Sequence, residues 1–517
     1  MASTFMGLSI AGRGLSASQV GLSVTTNNIS NVNTTGYSRQ VVNQIAVGPA
    51  AVYSSNYVGS GTDVTSVDRV RSFRLDQKYW QENSSLNEWS TKDSTIEELQ
   101  NVLGTSIDST DEGFGATLNA FYSALSDVSS DASSSSARAE LQESGEALCS
   151  YLNDAANQLT QLRSDVNSDI NTSVNQINTY AQQIADLNQR ITIAANSGAS
   201  TNELEDQRDT LIDSLSALTS VQVTQVQVGS GDSSSASYSY TVTVGGETLV
   251  NGSNARQLET YVINDGSTQD GMYGIRWSDT GTSFETGSSG SLKAELDLRD
   301  GTGEDGGYKG IVYYQNQLDD FARTFAEAFN EGIYKDGSTS SYGSGHASGY
   351  GLDGSTGIRF FSYDDKSSTD LMASGTDTAA VYKNITAANI SLSSDIENDV
   401  NKIAAASASD EESNNENIQA LISICNDSAM FANGTPVDAY NSIITALGTA
   451  GSYASQQNTI KTDIVDYVDK SRSSVSGVST NEETANITKY QQAYAASAKS
   501  VSTWSDIYET TINMVNS

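Results

Sequence analysis

The chain has 517 residues, and its 63 Asp and Glu against 27 Lys and Arg leave a net charge of −36, which excludes nucleic-acid binding through a basic face. No stretch reaches 18 consecutive apolar residues, which excludes a membrane-inserted helix, and two cysteines, Cys149 and Cys425, exclude a disulfide framework and read as free buried thiols. The scarcity of proline (Pro49 and Pro436) favours long uninterrupted helices.

The first element is a helix in which Met1, Leu8, Leu15, Leu22 and Ile29 recur at intervals of seven, with Phe5 on the same stripe. A sustained seven-residue apolar repeat predicts a helix whose stripe meets a partner helix. Residues 1–12 lack a basic start and a long apolar core, so no cleavable secretory signal is expected. No acidic residue precedes Asp63, where an even spread would place roughly seven. So uncharged a segment suits a covered surface. Gly7, Gly12, Gly14 and Gly21 interrupt it. At about 1 kcal/mol each relative to alanine they cost roughly as much as burying two large side chains returns. The segment is therefore expected to become ordered only when neighbours cover it.

Asn27, Asn28, Asn31, Asn33, Thr34 and Gly36 then end the helix, since their side chains satisfy free carbonyls and glycine adopts the left-handed conformation. Tyr37 can anchor the turn, and Ser38, Arg39 and Gln40 lead away from it. Short alternations from 41 to 70 predict strands or a hairpin. A long helix follows, with Val166, Ile170, Val174, Ile177, Ala181, Ile184, Leu187 and Ile191 spaced by three and four. Asn202 to Glu205 reads as a helix cap, with Leu204, Leu211, Leu215 and Leu218 continuing the stripe.

The period then changes to two. Tyr238, Tyr240, Val242 and Val244 alternate into Gly245-Gly246, a hairpin with a two-glycine turn. Helix resumes with Leu318, Phe321, Phe325 and Phe329, and a Gly/Ser/Tyr tract from 335 to 357 reads as loop. Ile443, Leu447, Ala450, Ala454, Ile460, Ile464 and Val468 form a further helical stripe. The last helix opens with a capping box, Thr480-Asn481-Glu482-Glu483. Along it Ile487, Tyr494, Val501, Tyr508 and Val515 recur at seven, with Tyr490 and Trp504 on a second seam.

These elements predict an α+β, mainly α, elongated multidomain rod. Residues 1–40 with 478–517 form a terminal coiled-coil domain and 41–70 a strand connector. Residues 71–220 with 291–334 and 416–477 form a helical bundle. Residues 221–290 are a β-rich insertion, and 335–415 a second insertion of uncertain fold.

Catalytic chemistry is not legible. The single histidine, His346, lies in the Gly/Ser tract and reads as a solvated loop residue. A zinc-peptidase pair of histidines is impossible, and no phosphate-binding glycine loop ends in Gly-Lys-Ser/Thr. Asp300, Glu304 and Asp305 lack the spacing of an EF-hand. No catalytic residue, cofactor or metal is expected.

The run from Asn27 to Gln40 closely resembles the N-terminal signature of the bacterial flagellar axial proteins, the rod, hook and hook-associated proteins. The Gly36-Tyr37-Ser38-Arg39-Gln40 ending, Asn202 to Asp209, Ala326 to Asn330, and Gln491 to Lys499 are similar to the hook-associated members. The likeness is weakest from 253 to 300 and from 335 to 415. It implies a secreted structural subunit that joins hook to filament, leaves the cell through the flagellar type III channel and self-assembles through its terminal helices. It also implies a homo-oligomer beside hook protein and a second hook-associated junction protein. A cytoplasmic export chaperone would cover Tyr494, Val501 and Tyr508 on the C-terminal helix. The alternatives are a rod or hook subunit, and a secreted adhesin or enzyme that carries axial termini.

Overall fold

The computed structural model describes residues 5–48, 59–104, 113–228, 237–335, 340–342, 344–373 and 378–515. Met1 and residues 49–58 lie outside them. Helix α1 (Met6–Ser30) leads into the antiparallel hairpin of β1 (Gln40–Ala46) and β2 (Thr62–Arg69). Helices α2 (Phe73–Leu103), α3 (Phe114–Ser130), α4 (Ser135–Ser197) and α5 (Asn202–Leu218) follow. Strands β3 (Val221–Val228), β4 (Ser237–Val244), β5 (Glu247–Asn251) and β6 (Asn254–Ala255) make one antiparallel sheet. Strands β7 (Leu258–Val262) and β8 (Tyr273–Trp277) make another. Next come α6 (Ser291–Asp300) and α7 (Ile311–Glu331). Short pairs β9 (Ile333–Lys335) with β10 (Ser340–Tyr342), and β11 (Phe361–Tyr363) with β12 (Ile390–Leu392), alternate with α8 (Ser368–Met372), α9 (Thr378–Tyr382) and α10 (Ser394–Asn398). The chain closes with α11 (Glu416–Cys425), α12 (Pro436–Ser476) and α13 (Thr480–Val515). The fold is mainly helical with small antiparallel sheets. No described helix is long and apolar enough to cross a membrane.

The length of α4 follows from its sequence. Ser134 caps it by accepting from Ala137 N at 3.3 Å, no proline interrupts it, and Gly198 ends it at φ 72°. Its 63 residues run for about 95 Å. All eight apolar positions from Val166 to Ile191 are buried. The two halves of α4 serve two cores. Leu141 to Val166 pack with α3, α7 and the aromatic group Phe121, Phe325, Phe329, Phe360 and Phe361. Ile170 to Ala185 pack with α5, α6 and strands β3 to β8. Gly245 and Gly246, at φ 59° and 86°, form the two-residue turn between β4 and β5, where a side chain would be strained.

Several sequence expectations change. His346 is fully buried: its Nδ1 lies 2.8 Å from Ile358 O and its Nε2 accepts from Ala404 N at 2.9 Å. Burial pushes its pKa down to about 4, so the ring is neutral at pH 7. The segment from 335 to 415 sends Phe360, Phe361, Ile390, Leu392 and Ile396 into the core shared by α3 and α7. Ile460 is 42% exposed, because the lower half of α12 turns Ala454, Val465 and Val468 inward instead. The helix-opening residue of α13 also shifts: Ser479 Oγ accepts from Glu482 N at 3.4 Å, and Glu483 turns inward rather than back to a Thr480 cap. Asp300 is engaged by Arg299 at 2.6 and 2.8 Å, so its carboxylate is not free for a cation. Cys149 and Cys425 are free and buried.

Glu295 on α6 carries a pH dependence. It is 8% exposed, and Ser173 donates to Oε1 at 3.0 Å while Oε2 has no hydrogen-bond partner. Burial, with the Asp169 carboxylate nearby, raises its pKa to about 7. The folded chain therefore keeps a proton that the unfolded chain releases near pH 4.5. The stability this gives is complete below that value and is lost as pH rises through about 7. Glu295→Gln should be more stable than the parent at pH 8 by up to about 3 kcal/mol, with the advantage vanishing near pH 4.5. Urea unfolding of both chains at pH 5 and pH 8 measures it; a pH-independent difference would refute the assignment.

Candidate assembly seam and the joint behind it

Helices α1 and α13 pack antiparallel, and their contact is built on the glycines. Gly7, Gly14 and Gly21 lie opposite Trp504, Ser497 and Tyr490. Both series step by seven, so the pairing repeats along the helices, and Asn28 opposite Glu483 continues it at 3.2 Å. A Cβ on Gly21 would come within 2.5 Å of the Tyr490 ring, and one on Gly14 within 2.9 Å of Ser497 Oγ. A Cβ on Gly7 would overlap the Trp504 indole. Three of the four glycines that weaken α1 as an isolated helix are thus the positions that let α13 approach it. Beyond them Phe5 and Tyr508 place their ring centroids 5.1 Å apart.

The apolar stripes lie beside this contact. Leu8, Leu15, Leu22 and Ile29 each follow a contact position by one residue, about 100° round the helix, and all four are half-buried. The buried positions of α1 are Ala11, Ala17, Ser18, Gly21, Thr25 and Asn28, small or polar throughout. On α13, Ile487, Tyr490, Val501 and Tyr508 are half-buried, while Tyr494 is 39% and Trp504 37% exposed. Among the described residues of α13, Glu483 alone is buried. The side chain of Val515 lies outside the described residues.

The run from Asn27 to Gln40 fastens this pair to the rest of the molecule. Asn31 donates to Asn27 O at 3.0 Å, Thr34 donates to Asn31 Oδ1 at 3.2 Å, and Gly36 turns at φ 79°. Asn33 is exposed. Asn28 is the centre of the local bonding. Its Oδ1 accepts from Tyr37 OH at 2.8 Å and Gln40 N at 3.0 Å, and its amide donates to Gln40 O at 2.9 Å and to Glu483. Burial raises the Tyr37 pKa to about 12, aided by Asp206, so the phenol stays a donor.

From here the contacts cross to α5. Ser38 donates to Asp206 through N at 3.0 Å and Oγ at 2.7 Å, and Gln40 donates to Glu203 at 2.9 Å. The two stretches singled out in the sequence, 27–40 and 202–209, therefore meet in space. Arg69 at the end of β2 bonds Glu205 at 2.6 Å, Asp206 at 2.7 Å and Asp209 at 3.0 Å. Arg71 pairs with Asp76 at 3.0 Å, and Arg472 of α12 pairs with Asp213 at 2.9 Å. Burial pushes the Asp209 pKa up, but Arg71, Arg69 and Arg208 outweigh it and hold the carboxylate ionised. Arg39 completes the joint, donating from N to Ser476 O at 2.8 Å and from its guanidinium to Glu482 at 2.9 Å.

This joint buries charged residues of α5 beside its apolar stripe, of which Leu215 is fully buried as expected. Glu205, Asp206, Arg208 and Asp209 are buried, while Leu204, Leu211 and Leu218 are only half-buried. Charges normally face water; here the arginines of other elements make burial tolerable. Asn202 likewise does not cap α5 but donates to Val67 O at 2.8 Å, tying the helix to β2. Arg69, Arg71 and Arg472 were not singled out from the sequence. The only available signal was that four carboxylates within 203–209 require counter-charges from elsewhere.

Comparison with known proteins bears on this geometry. Residues 96–361, just over half of the chain, match the family model of the flagellar hook-associated protein FlgK helical domain. The chain belongs to the FlgK family of flagellar hook-associated proteins. It is accordingly an axial structural component of the extracellular flagellum at the hook–filament junction, not an enzyme. The terminal helices have matches of their own. Residues 8–37 match the flagella basal body rod protein family, and 471–514 the flagellar basal body rod FlgEFG protein C-terminal family. Flagellar hook-associated protein 1 of Bacillus subtilis is 29% identical over 531 residues, covering 99% of each chain. That of Salmonella typhimurium is 27% identical over 581 residues, covering 97% of this chain and 98% of its own. The solved flagellar hook junction protein FlgK from Burkholderia pseudomallei shares the fold, with a TM-score of 0.59 at 18% identity over 77% of this chain and 100% of that one.

Proposed function

We propose that this FlgK-family chain joins hook to filament by self-assembly, with the α1–α13 pair entering the inner wall of the axial tube and the bundle and sheets lying outside it. The observation that carries this reading is that α13, 36 residues long, exposes Tyr494, Trp504, Ile507, Ile512 and Met514. A soluble chain does not leave so long an apolar stripe in water unless something covers it. Sister molecules cover it in the assembly, with Phe5, Leu8, Leu15, Leu22 and Ile29 of α1 and Tyr494, Val501 and Trp504 of α13 meeting neighbouring copies. Residues 1–40 with 478–517 act as this axial unit. Hook protein lies on one side and a second hook-associated junction protein on the other. Before assembly the chain travels through the flagellar type III channel, and a cytoplasmic chaperone shields Tyr494, Val501 and Tyr508 by taking the helix into a groove.

The joint is what makes such a part useful. It converts side-chain bonds into a fixed exit angle between the axial pair and the outer body, so each copy presents its body in the same orientation. A strain lacking this chain should keep its hooks and release filament protein into the medium. Normal filaments in that strain would overturn the proposal.

A further inference from the structure

Two asparagines of the chain are followed directly by glycine, Asn251 and Asn433. In sequence they are chemically alike, because glycine leaves the next backbone nitrogen open to a close approach. In the fold they differ. Asn251 ends β5, and the chain turns through Gly252, at φ 58°, into β6, which is only two residues long. Asn251 is exposed, and its Oδ1 accepts from Thr241 Oγ1 at 3.4 Å. Among the described residues, neither the Gly252 N–H nor Asn251 Nδ2 has a protein acceptor. Asn433 is also exposed, but both of its reacting groups are held. Gly434 N donates to Phe431 O at 3.1 Å, and Asn433 Nδ2 donates to Ser442 Oγ at 3.2 Å. The next residue, Thr435, is fixed by Asp438 in the capping box of α12.

We propose that Asn251 is a self-modifying site, converted without an enzyme into aspartate and isoaspartate, while the fold protects Asn433. A base in the solvent takes the Gly252 amide proton, and the nitrogen attacks Asn251 Cγ. The N–Cγ bond forms, the Cγ–Nδ2 bond breaks, and ammonia leaves with a proton from water. Water then opens the five-membered imide. Attack at Cγ gives aspartate on an unchanged backbone. Attack at the Asn251 carbonyl carbon gives isoaspartate, whose main chain runs through Cβ and Cγ. Nothing is oxidised or reduced, and either product takes the net charge from −36 to −37.

The fold decides which site reacts. A bound N–H must be released before it can lose its proton, and a bound side-chain amide must be freed to turn toward it. A short hairpin end opens more easily than a capped helix start. Isoaspartate reaches into the fold. Gly252 O accepts from Asn188 Nδ2 at 2.9 Å, and Asn188 is fully buried on α4. The same side chain accepts from Tyr240 N at 3.1 Å and from Arg208 at 3.2 Å. A lengthened turn displaces Gly252 O, so modification at an exposed hairpin loosens the tie between α4 and its sheet. The modified fraction rises with the age of each copy.

The test stores the purified full chain at pH 8, folded and in concentrated urea, and follows tryptic peptides 209–256 and 403–461 by mass spectrometry. Enzymatic methylation of isoaspartate identifies the second product. In the folded chain, modification at Asn251 is expected to exceed that at Asn433 by about tenfold or more, since two hydrogen bonds must break at the latter. In urea the two rates should agree within about twofold. Asn251→Gln keeps the amide but cannot close a five-membered ring, so it should lose the acidic species seen on isoelectric focusing. Equal folded rates, an excess at Asn433, or no reaction at Asn251 overturn the proposal. So does an excess at Asn251 that persists unchanged in urea, or an acidic species undiminished in Asn251→Gln.

Discussion

Replacing Arg69 with methionine is expected to destabilise the full chain by about 3–5 kcal/mol, among the largest effects of any single substitution outside the core. The guanidinium bonds three carboxylates, Glu205, Asp206 and Asp209, and its side chain is only 9% exposed. Methionine fills much of the same volume but supplies no charge. The carboxylates then remain buried with Arg71 and Arg208 as their nearest cations, the latter 3.8 Å from Asp209. The penalty comes from stranded charge. Asp206 also receives both bonds from Ser38, so loosening it frees the turn that fastens α1. Urea unfolding gives the magnitude. Limited proteolysis between α12 and α13 gives the local consequence, expected as cleavage near Gly477 at protease levels that spare the parent. A loss below about 1 kcal/mol with no new cleavage would mean the ion cluster is not what holds the joint.

Gly21→Ala tests the seam. One methyl group is a small change, and in a typical helix it stabilises by up to about 1 kcal/mol. Here it meets the Tyr490 ring at 2.5 Å, so α1 and α13 must separate or the ring must leave its place. The pair has little else to hold it, since α13 buries only Glu483 among its described residues. Expected outcomes are faster amide exchange along α1 in the monomer and a loss of swarming by at least tenfold, with normal export of the chain. Gly21→Ala combined with Tyr490→Ser should restore much of both, because the second substitution empties the space the methyl group needs. Gly12→Ala is the control: nothing lies within 4 Å of a Cβ at that position, so it should leave exchange and swarming unchanged or improved. Equal defects from Gly12→Ala and Gly21→Ala would refute the proposed packing.

The two substitutions also mark how far the sequence could be read. Local periodicity was enough where a helix or strand contacts its surroundings through one face. The stripe from Val166 to Ile191 is buried as spaced, Leu318 to Phe329 enter the core, and the Gly245-Gly246 turn joins β4 to β5. In each case the residue type and its neighbours along the chain contain the necessary information. The helix exit at Asn27 to Gly36 was equally legible, whereas the contact between the terminal helices runs along Gly7, Gly14 and Gly21, one residue away from the seven-residue stripe of α1.

The tertiary structure decided the rest, for a common reason: the determining partner is distant in the sequence. Nothing within α1 indicates that Gly7, Gly14 and Gly21 face Trp504, Ser497 and Tyr490, because a glycine carries no signal of what occupies the space it leaves. Nothing within α5 indicates that Glu205, Asp206 and Asp209 are buried beside Ile212 and Leu215, because most of the compensating arginines stand on β2, after it and on α12. His346 looked like a solvated residue for the same reason; its partners, Ile358 O and Ala404 N, are backbone atoms whose position no composition records. Composition and spacing determined that this chain would be long, mainly helical, acidic and apolar at both ends. Which faces meet within the chain was set by steric fit and by charge pairing between remote segments, interactions that exist only once the backbone has brought them together.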